Sequence, residues 1–316
     1  MRLLERSIVR KNHLTKWVAG GTAAVAALVL SGCTSDTDPA RKAYMPGDPG
    51  VTNIGDAIGT FWTNSWIALM GVGLLTWGLV IWASIAYRRR KNETGLPAQM
   101  RYHMPIEIMF TVIPIILVAG LFAFTARDQA QIEQNWAESE REVHIEVYGK
   151  QWAWDFNYLE VEGSPYQHAP VYYEGVQVVE EKDENGENTG GITEDRLPTL
   201  YLPVDAKVTI DLKSRDVAHS FWVPQFHYKE DTIPGRTNQM SFVPTQEGTF
   251  IGKCAELCGE YHSMMLFQVK VVSAEKYQAH LDSLAEQGNT GTRGDEYNRR
   301  LHNPGTSVPV IEHDEH

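Results

Sequence analysis

The sequence predicts a two-helix transmembrane hairpin followed by an all-β sandwich or barrel domain. Three observations carry this prediction. Two long apolar runs lie within the first 126 residues, and basic residues cluster around them. From about residue 141 the pattern changes to short apolar–polar alternations separated by Gly and Pro. Charge divides at the same place: residues 1–126 hold 12 Lys+Arg and 7 Asp+Glu, whereas residues 127–316 hold 16 and 33. A chain of 316 residues suits a membrane portion plus one domain, and a formal net charge of −12 argues against nucleic-acid binding. Three cysteines exclude a small disulfide scaffold.

Residues 1–32 read as an export leader. Arg2, Arg6, Arg10, Lys11 and Lys16 precede an apolar stretch over 17–30 that is too short to span a bilayer comfortably. It closes on Leu30-Ser31-Gly32-Cys33, which resembles a bacterial lipobox. In that reading Cys33 is the acylated first residue of the mature protein, and 33–60 is an extracytoplasmic segment. The plainer alternative is an uncleaved anchor with an incidental Cys.

Residues 61–127 form the hairpin. The run from Trp62 to Tyr87 carries no charge and is followed by Arg88, Arg89, Arg90 and Lys91. The second run, about 104–126, is broken only by Glu107, with Arg101 and His103 before it. The connecting loop is basic, so the positive-inside rule puts it in the cytoplasm and everything after 127 outside. The export leader gives the same orientation. Glu107 is either a functional intramembrane carboxylate or one that reaches the interface from a helix end. Pro114 is tolerated in a span packed against other helices.

The domain over 128–275 is read as β. Val143, Ile145 and Val147 alternate with His144, Glu146 and Tyr148, and an aromatic run follows over 150–158. Further strands are expected at 199–203, 207–213, 218–223, 238–244, 248–253 and 265–272, a spacing that suits a sandwich or barrel. The stretch 162–198 is acidic and is expected to be an exposed, irregular insertion. Over 276–316 the expectation is the body of a helix, which spans 274–287 with Ser273 as N-cap, and then an extended tail.

The chemistry lies in Cys254-Ala255-Glu256-Leu257-Cys258-Gly259-Glu260-Tyr261-His262-Ser263-Met264-Met265, with His219 upstream at a strand end. Two thiolates, imidazoles and a thioether favour a soft metal, and Met beside Cys and His points to copper over zinc. Spacing favours Met265 over Met264. A Cys254–Cys258 disulfide and a zinc site remain open alternatives. His144, His168 and His227 have no ligand pattern around them. No C-x-x-C-H occurs, so the chain carries no c-type haem of its own.

At these residues the chain resembles cytochrome c oxidase subunit II. The 254–265 run is similar to that family's copper-A loop, and Asp216-Val217-Ala218-His219-Ser220-Phe221 to its second ligand motif. Gln151-Trp152-Ala153-Trp154 and Glu107-Ile108-Met109-Phe110-Thr111-Val112-Ile113-Pro114 match two further motifs, in the family's order. Lipobox and acidic insertion resemble those of bacterial, actinobacterial members.

The resemblance implies a cupredoxin-like outer domain on a bacterial cell membrane. It also implies a dinuclear copper-A centre held by Cys254, Cys258, His219, His262, Met265 and the Glu256 carbonyl. The Glu256 side chain then helps hold a magnesium or manganese ion shared with subunit I. Trp152 matches the family's electron-receiving tryptophan, while Trp154 reads as packing. Glu107 matches a glutamate at the mouth of a proton-uptake path. Implied partners are subunits I and III, membrane lipid, and cytochrome c or a cytochrome c domain of a bc1-type complex. Haem resides in the partner subunit only. The implied activity is that of a translocase component passing electrons toward oxygen reduction. Alternatives are the copper-A subunit of a nitric oxide reductase, a copper-free quinol-oxidase subunit, and a membrane-anchored copper-binding lipoprotein.

Overall fold

The computed structural model describes residues 50–90, 94–96, 99–178, 180–192 and 196–298. Cys33 and the leader lie outside the described residues. The first helix, α1 (Asn53–Ala86), is capped by Thr52, whose hydroxyl accepts the Gly55 N–H at 3.1 Å. The second, α2 (Met104–Ile132), opens with a reciprocal cap. His103 Nδ1 accepts the Ile106 N–H, and the Glu107 carboxylate accepts the His103 N–H at 2.9 Å. Both helices run past the apolar stretches that mark them in the sequence. Apolar residues define what lipid covers, whereas caps define where helical hydrogen bonding begins and ends. Leu74, Trp77, Ile85, Ile116 and Phe122 stand exposed along them, as a lipid-facing surface requires.

Twelve strands follow among the described residues: β1 (Val143–Lys150), β2 (Ala153–Leu159), β3 (Val171–Tyr173), β4 (Glu180–Lys182), β5 (Asn188–Ile192), β6 (Thr199–Pro203), β7 (Val208–Ser214), β8 (His219–Val223), β9 (Tyr228–Thr232), β10 (Asn238–Phe242), β11 (Gly248–Cys254) and β12 (Leu266–Val272). They form two five-stranded sheets, ordered β10-β7-β1-β2-β3 and β6-β12-β11-β8-β9, plus the β4–β5 hairpin. The inward residues fill the space between the sheets. Ile145, Val147, Trp154 and Phe156 of one meet Leu200, Phe221, Phe267 and Val269 of the other. Phe221 stacks on Phe267 at 4.6 Å, and Trp154 packs on Phe267 at 5.3 Å. Gly252 makes this possible, because a Cβ there would lie 2.1 Å from the Phe267 ring.

The stretch 162–198 differs from its expected irregularity. β3 joins the first sheet through β2, with Tyr158 paired to Val171. Val171, Val178 and Leu197 are buried, so the stretch does supply part of the core. Only the β4–β5 hairpin matches the picture of an exposed acidic excursion. The charged strand β9 was also illegible as a strand: it pairs with β8 through main-chain hydrogen bonds, which need no apolar side chains.

Helix α3 (Ala274–Glu286) is capped by Ser273 and buries Tyr277, Leu281 and Leu284. The residues after it, expected as an extended tail, run against the first sheet as far as Asn298. Tyr172 donates to the Asn289 carbonyl at 3.1 Å, and Gly291 N–H to Pro170 at 2.7 Å. Main-chain groups bonding a sheet edge need no sequence periodicity, so composition alone does not reveal where such a tail docks.

The start of α1 is joined to the sandwich. Asn53 N–H donates to the Val243 carbonyl at 3.0 Å, Val243 N–H returns to Asn53 Oδ1 at 2.7 Å, and Thr245 N–H donates to Val51 at 2.9 Å. The β domain therefore sits directly on the outer end of the first span.

Candidate metal centre

Strand β8 begins at His219 and strand β11 ends at Cys254, and the two strands pair antiparallel through Cys254 with Phe221 and Lys253 with Trp222. After Cys254 the chain leaves the sheet in a loop that returns as β12 at Leu266. Three main-chain bonds tie this loop down: Cys254 N–H to Met265, Ala255 N–H to Ser220, and Met265 N–H to His262. The fold thus brings residues 35 positions apart into one buried cluster.

His219 Nδ1 lies 3.9 Å from Cys254 Sγ, and the two sulfurs are 3.8 Å apart. His262 Nδ1 lies 3.5 Å from Cys258 Sγ, Met265 Sδ 3.8 Å from Cys258 Sγ, and the Glu256 carbonyl 3.2 Å from Cys254 Sγ. His219, Cys254, Cys258 and Met265 are buried; His262 is half-buried. Metal–thiolate bonds are about 2.3 Å and metal–imidazole bonds about 2.0 Å, so every one of these separations is short enough for two donors to share an ion. A disulfide would hold its sulfurs at about 2.05 Å; Cys254 and Cys258 are both free thiols. The donor set fits a soft metal bound by thiolate, imidazole and thioether.

Asp216 organises one side of the cluster. Its carboxylate meets His219 Nε2 at 2.8 Å and accepts the N–H groups of Gln151 and Val217, each at 2.8 Å. A carboxylate on Nε2 keeps the proton there and leaves the Nδ1 lone pair facing the sulfurs. Burial acts to raise the Asp216 pKa, but the hydrogen bonds outweigh it and hold the carboxyl below its ordinary value. Burial acts to lower the His219 pKa, but the Asp216 and Cys254 contacts together outweigh it and leave the imidazole raised. Burial likewise acts against ionising Cys254, but His219 and the hydrogen bonds with the Glu256 and Ser220 backbone together overcome it, so this thiol is lowered. Burial and the neighbouring Cys254 push the Cys258 thiol up to about 12. Bringing both thiolates together requires a cation.

Gly149 of β1 closes the wall behind His219; a Cβ there would lie 2.8 Å from the imidazole Cδ2. Trp152 donates its Nε1–H to the Cys258 carbonyl at 3.2 Å, and Gln151 Nε2 donates to the same oxygen at 2.8 Å. The Trp152 ring meets Tyr261 edge-on at 4.9 Å. Trp154, by contrast, is wholly buried in the core with its Nε1–H on the Met265 carbonyl. The Glu256 side chain is exposed. Leu257, at the loop tip, is 79% exposed.

Glu107 is far along the chain from this cluster, in the first turn of α2, bonded to its own cap. His144 pairs with Asp211 at 2.9 Å, His168 is half-buried with its Nδ1 on the Ala169 carbonyl, and His227 Nδ1 faces the Gly55 carbonyl. Sequence reasoning gave no role to Asp216, Gln151, Gly149 or Tyr261. The carboxylate three residues before His219 was the one available signal.

Residues 143–272 match the family model described as cytochrome c oxidase subunit II, periplasmic domain. A relative from Streptomyces avermitilis, named "probable cytochrome c oxidase subunit 2", is 42% identical over 284 residues, covering 85% of this chain and 87% of the relative. The chain belongs to the cytochrome c oxidase subunit II family. A cytochrome c oxidase subunit 2 from Corynebacterium glutamicum is 31% identical, covering 84% of each chain. Among solved structures, the periplasmic domain of subunit II of cytochrome oxidase from Bradyrhizobium japonicum aligns at 25% identity with a TM-score of 0.37, over 46% of this chain and 96% of that chain. Membership in the subunit II family makes this chain a component of an oxidase. Its two apolar helices and outer domain are those of a membrane protein with an extracytoplasmic β domain.

Proposed function

We propose that this subunit II receives electrons from cytochrome c through a dinuclear copper-A centre and passes them to the haem of subunit I. The observation that carries the reading is the buried meeting of His219, Cys254 and Cys258, their donor atoms all within 4.8 Å of one another. Copper A, when bound, supplies a one-electron carrier. Cys254 and Cys258 offer the thiolates, His219 and His262 the imidazoles, and Met265 and the Glu256 carbonyl the weak outer donors. Asp216 orients His219, and the surrounding core keeps water from the sulfurs, so little has to rearrange when charge changes.

Trp152 is the proposed electron-receiving residue. Its ring lies between the half-exposed surface and the Cys258 carbonyl, a direct hydrogen-bonded route to a ligand. The exposed Glu256 carboxylate suits a hard ion, magnesium or manganese, shared with subunit I. Glu107 is proposed as the opening of a proton path, and acylation at Cys33 as a second membrane attachment. Subunits I and III and a cytochrome c or tethered cytochrome c domain complete the assembly, with proton translocation residing in the other subunits.

The test is metal content and EPR of the full-length chain, purified in detergent without its partners and loaded with copper. Two coppers per chain and one delocalised mixed-valence spectrum are expected. One copper with an ordinary localised spectrum, or a preference for zinc, would overturn the reading.

A further inference from the structure

The residues after α3 lie beyond the part matched by the family model, yet they reach the turn that leads into His219 and β8. Thr290 bridges to Val171, and Gly291 bonds to Pro170. Asn157, buried in β2, then grips Arg293 in both directions. Its Nδ2 donates to the Arg293 carbonyl at 2.9 Å and its Oδ1 accepts the Arg293 N–H at 3.0 Å. Tyr148 hydroxyl reaches Asp295 at 3.1 Å.

Arg215 is the receiver of these contacts. It is only 3% exposed. Its Nε donates to Asp155 at 2.7 Å, its Nη1 to the Gly294 carbonyl at 2.9 Å and its Nη2 to the Arg293 carbonyl at 2.9 Å. The guanidinium lies 4.1 Å from the Tyr148 ring centre. Two of its three ligating groups therefore come from the C-terminal segment, both through main-chain oxygens.

A buried guanidinium that loses acceptors is driven toward other partners or water. A shift of the Arg215 side chain pulls on its own backbone. That backbone is fixed on one side by its N–H bond to Gly149 at 2.9 Å, and Gly149 backs the His219 ring. On the other side follows Asp216, whose carboxylate holds His219 Nε2. Both neighbours of Arg215 along this path touch the same imidazole.

We propose that residues 289–295 form a C-terminal strap that locks Arg215 and, through Arg215, Gly149 and Asp216, sets the orientation of His219 at the metal centre. Arg215 is a positioning residue in this scheme. The inference rests on the copper-A reading above.

The test uses the assembled oxidase purified from membranes, with pulsed EPR resolving the nitrogen couplings of the two ligand histidines and a redox titration of the same centre. Three variants are compared: a chain ending at Gln287, Arg215→Lys, and Arg293→Ala. Arg215→Lys keeps the charge and removes the fork, so it serves if the shortened chain does not assemble. Arg293→Ala removes a side chain but leaves the main-chain groups used by Asn157 and Arg215. The expected result is a shifted His219 coupling and an altered reduction potential in the first two, with the His262 coupling unchanged and Arg293→Ala like wild type. Unchanged couplings in both, or equal shifts at both histidines, overturn the strap. Absence of the copper-A signal in wild type overturns the site reading itself, and the strap with it.

Discussion

Asp216 decides which nitrogen of His219 faces the sulfurs, and Gly149 decides how close the ring can sit. These are sharp constraints at single atoms, and they make single substitutions informative. Gly149→Ala forces a methyl to within 2.8 Å of the imidazole, so the ring or the strand must move. The expected cost is about 1–3 kcal/mol of stability together with a weakened metal site. Copper retention during dialysis against a chelator checks it, and wild-type retention would mean the ring has room to spare. Trp152→Phe keeps an aromatic edge for Tyr261 but loses the bond to the Cys258 carbonyl. Slower electron uptake from reduced cytochrome c at unchanged copper content is the expected outcome. If only thermal stability fell, Trp152 would be a packing residue.

Helix α3 and the head of α2 each carry a titratable residue whose role belongs to the element. His280 lies between Tyr201, stacked at 3.8 Å, and Tyr158, edge-on at 5.7 Å, on the face of α3 that packs on β6. Burial and then the nearby Lys270 lower its pKa from 6.5 to about 4. A folded-state pKa below the unfolded one means the neutral form is favoured by folding. The contribution is full above about pH 6.5 and is lost as pH falls toward 4, by up to about 3 kcal/mol. Hydrogen exchange should show α3 losing protection between pH 7 and 4.5, and His280→Gln should flatten that dependence. On α2, Glu107 caps the helix, and it is also the residue proposed above as the opening of a proton path. Glu107→Gln retains an acceptor for the cap but cannot carry a proton. Turnover slowed about equally by Gln and Ala supports the proton role, whereas slowing by Ala alone assigns Glu107 to capping.

At the scale of the whole molecule, the sandwich stands on the outer end of α1 through Asn53 and Val243, which orients the metal loop with respect to the membrane. A single cysteine placed at Gly95 should react with an impermeant thiol reagent only from the cytoplasmic side, and one at Asp183 only from outside. The opposite pattern would invert the topology argued from Arg88–Arg90. Much of this was legible in the chain. Long charge-free runs announce the spans because lipid offers no partner for polar groups, and period-two alternation announces strands that bury one face. Cys254, Cys258, His262 and Met265 lie within 12 positions, so local spacing alone revealed them. What only the tertiary structure decided depends on contacts between distant segments. β3 and β9 exist because a neighbour offers main-chain partners, and the residues after α3 are held by Asn157 and Arg215 through backbone oxygens. Backbone groups are the same in every residue, so neither hydropathy nor spacing distinguishes a segment that will find such partners from one that will not.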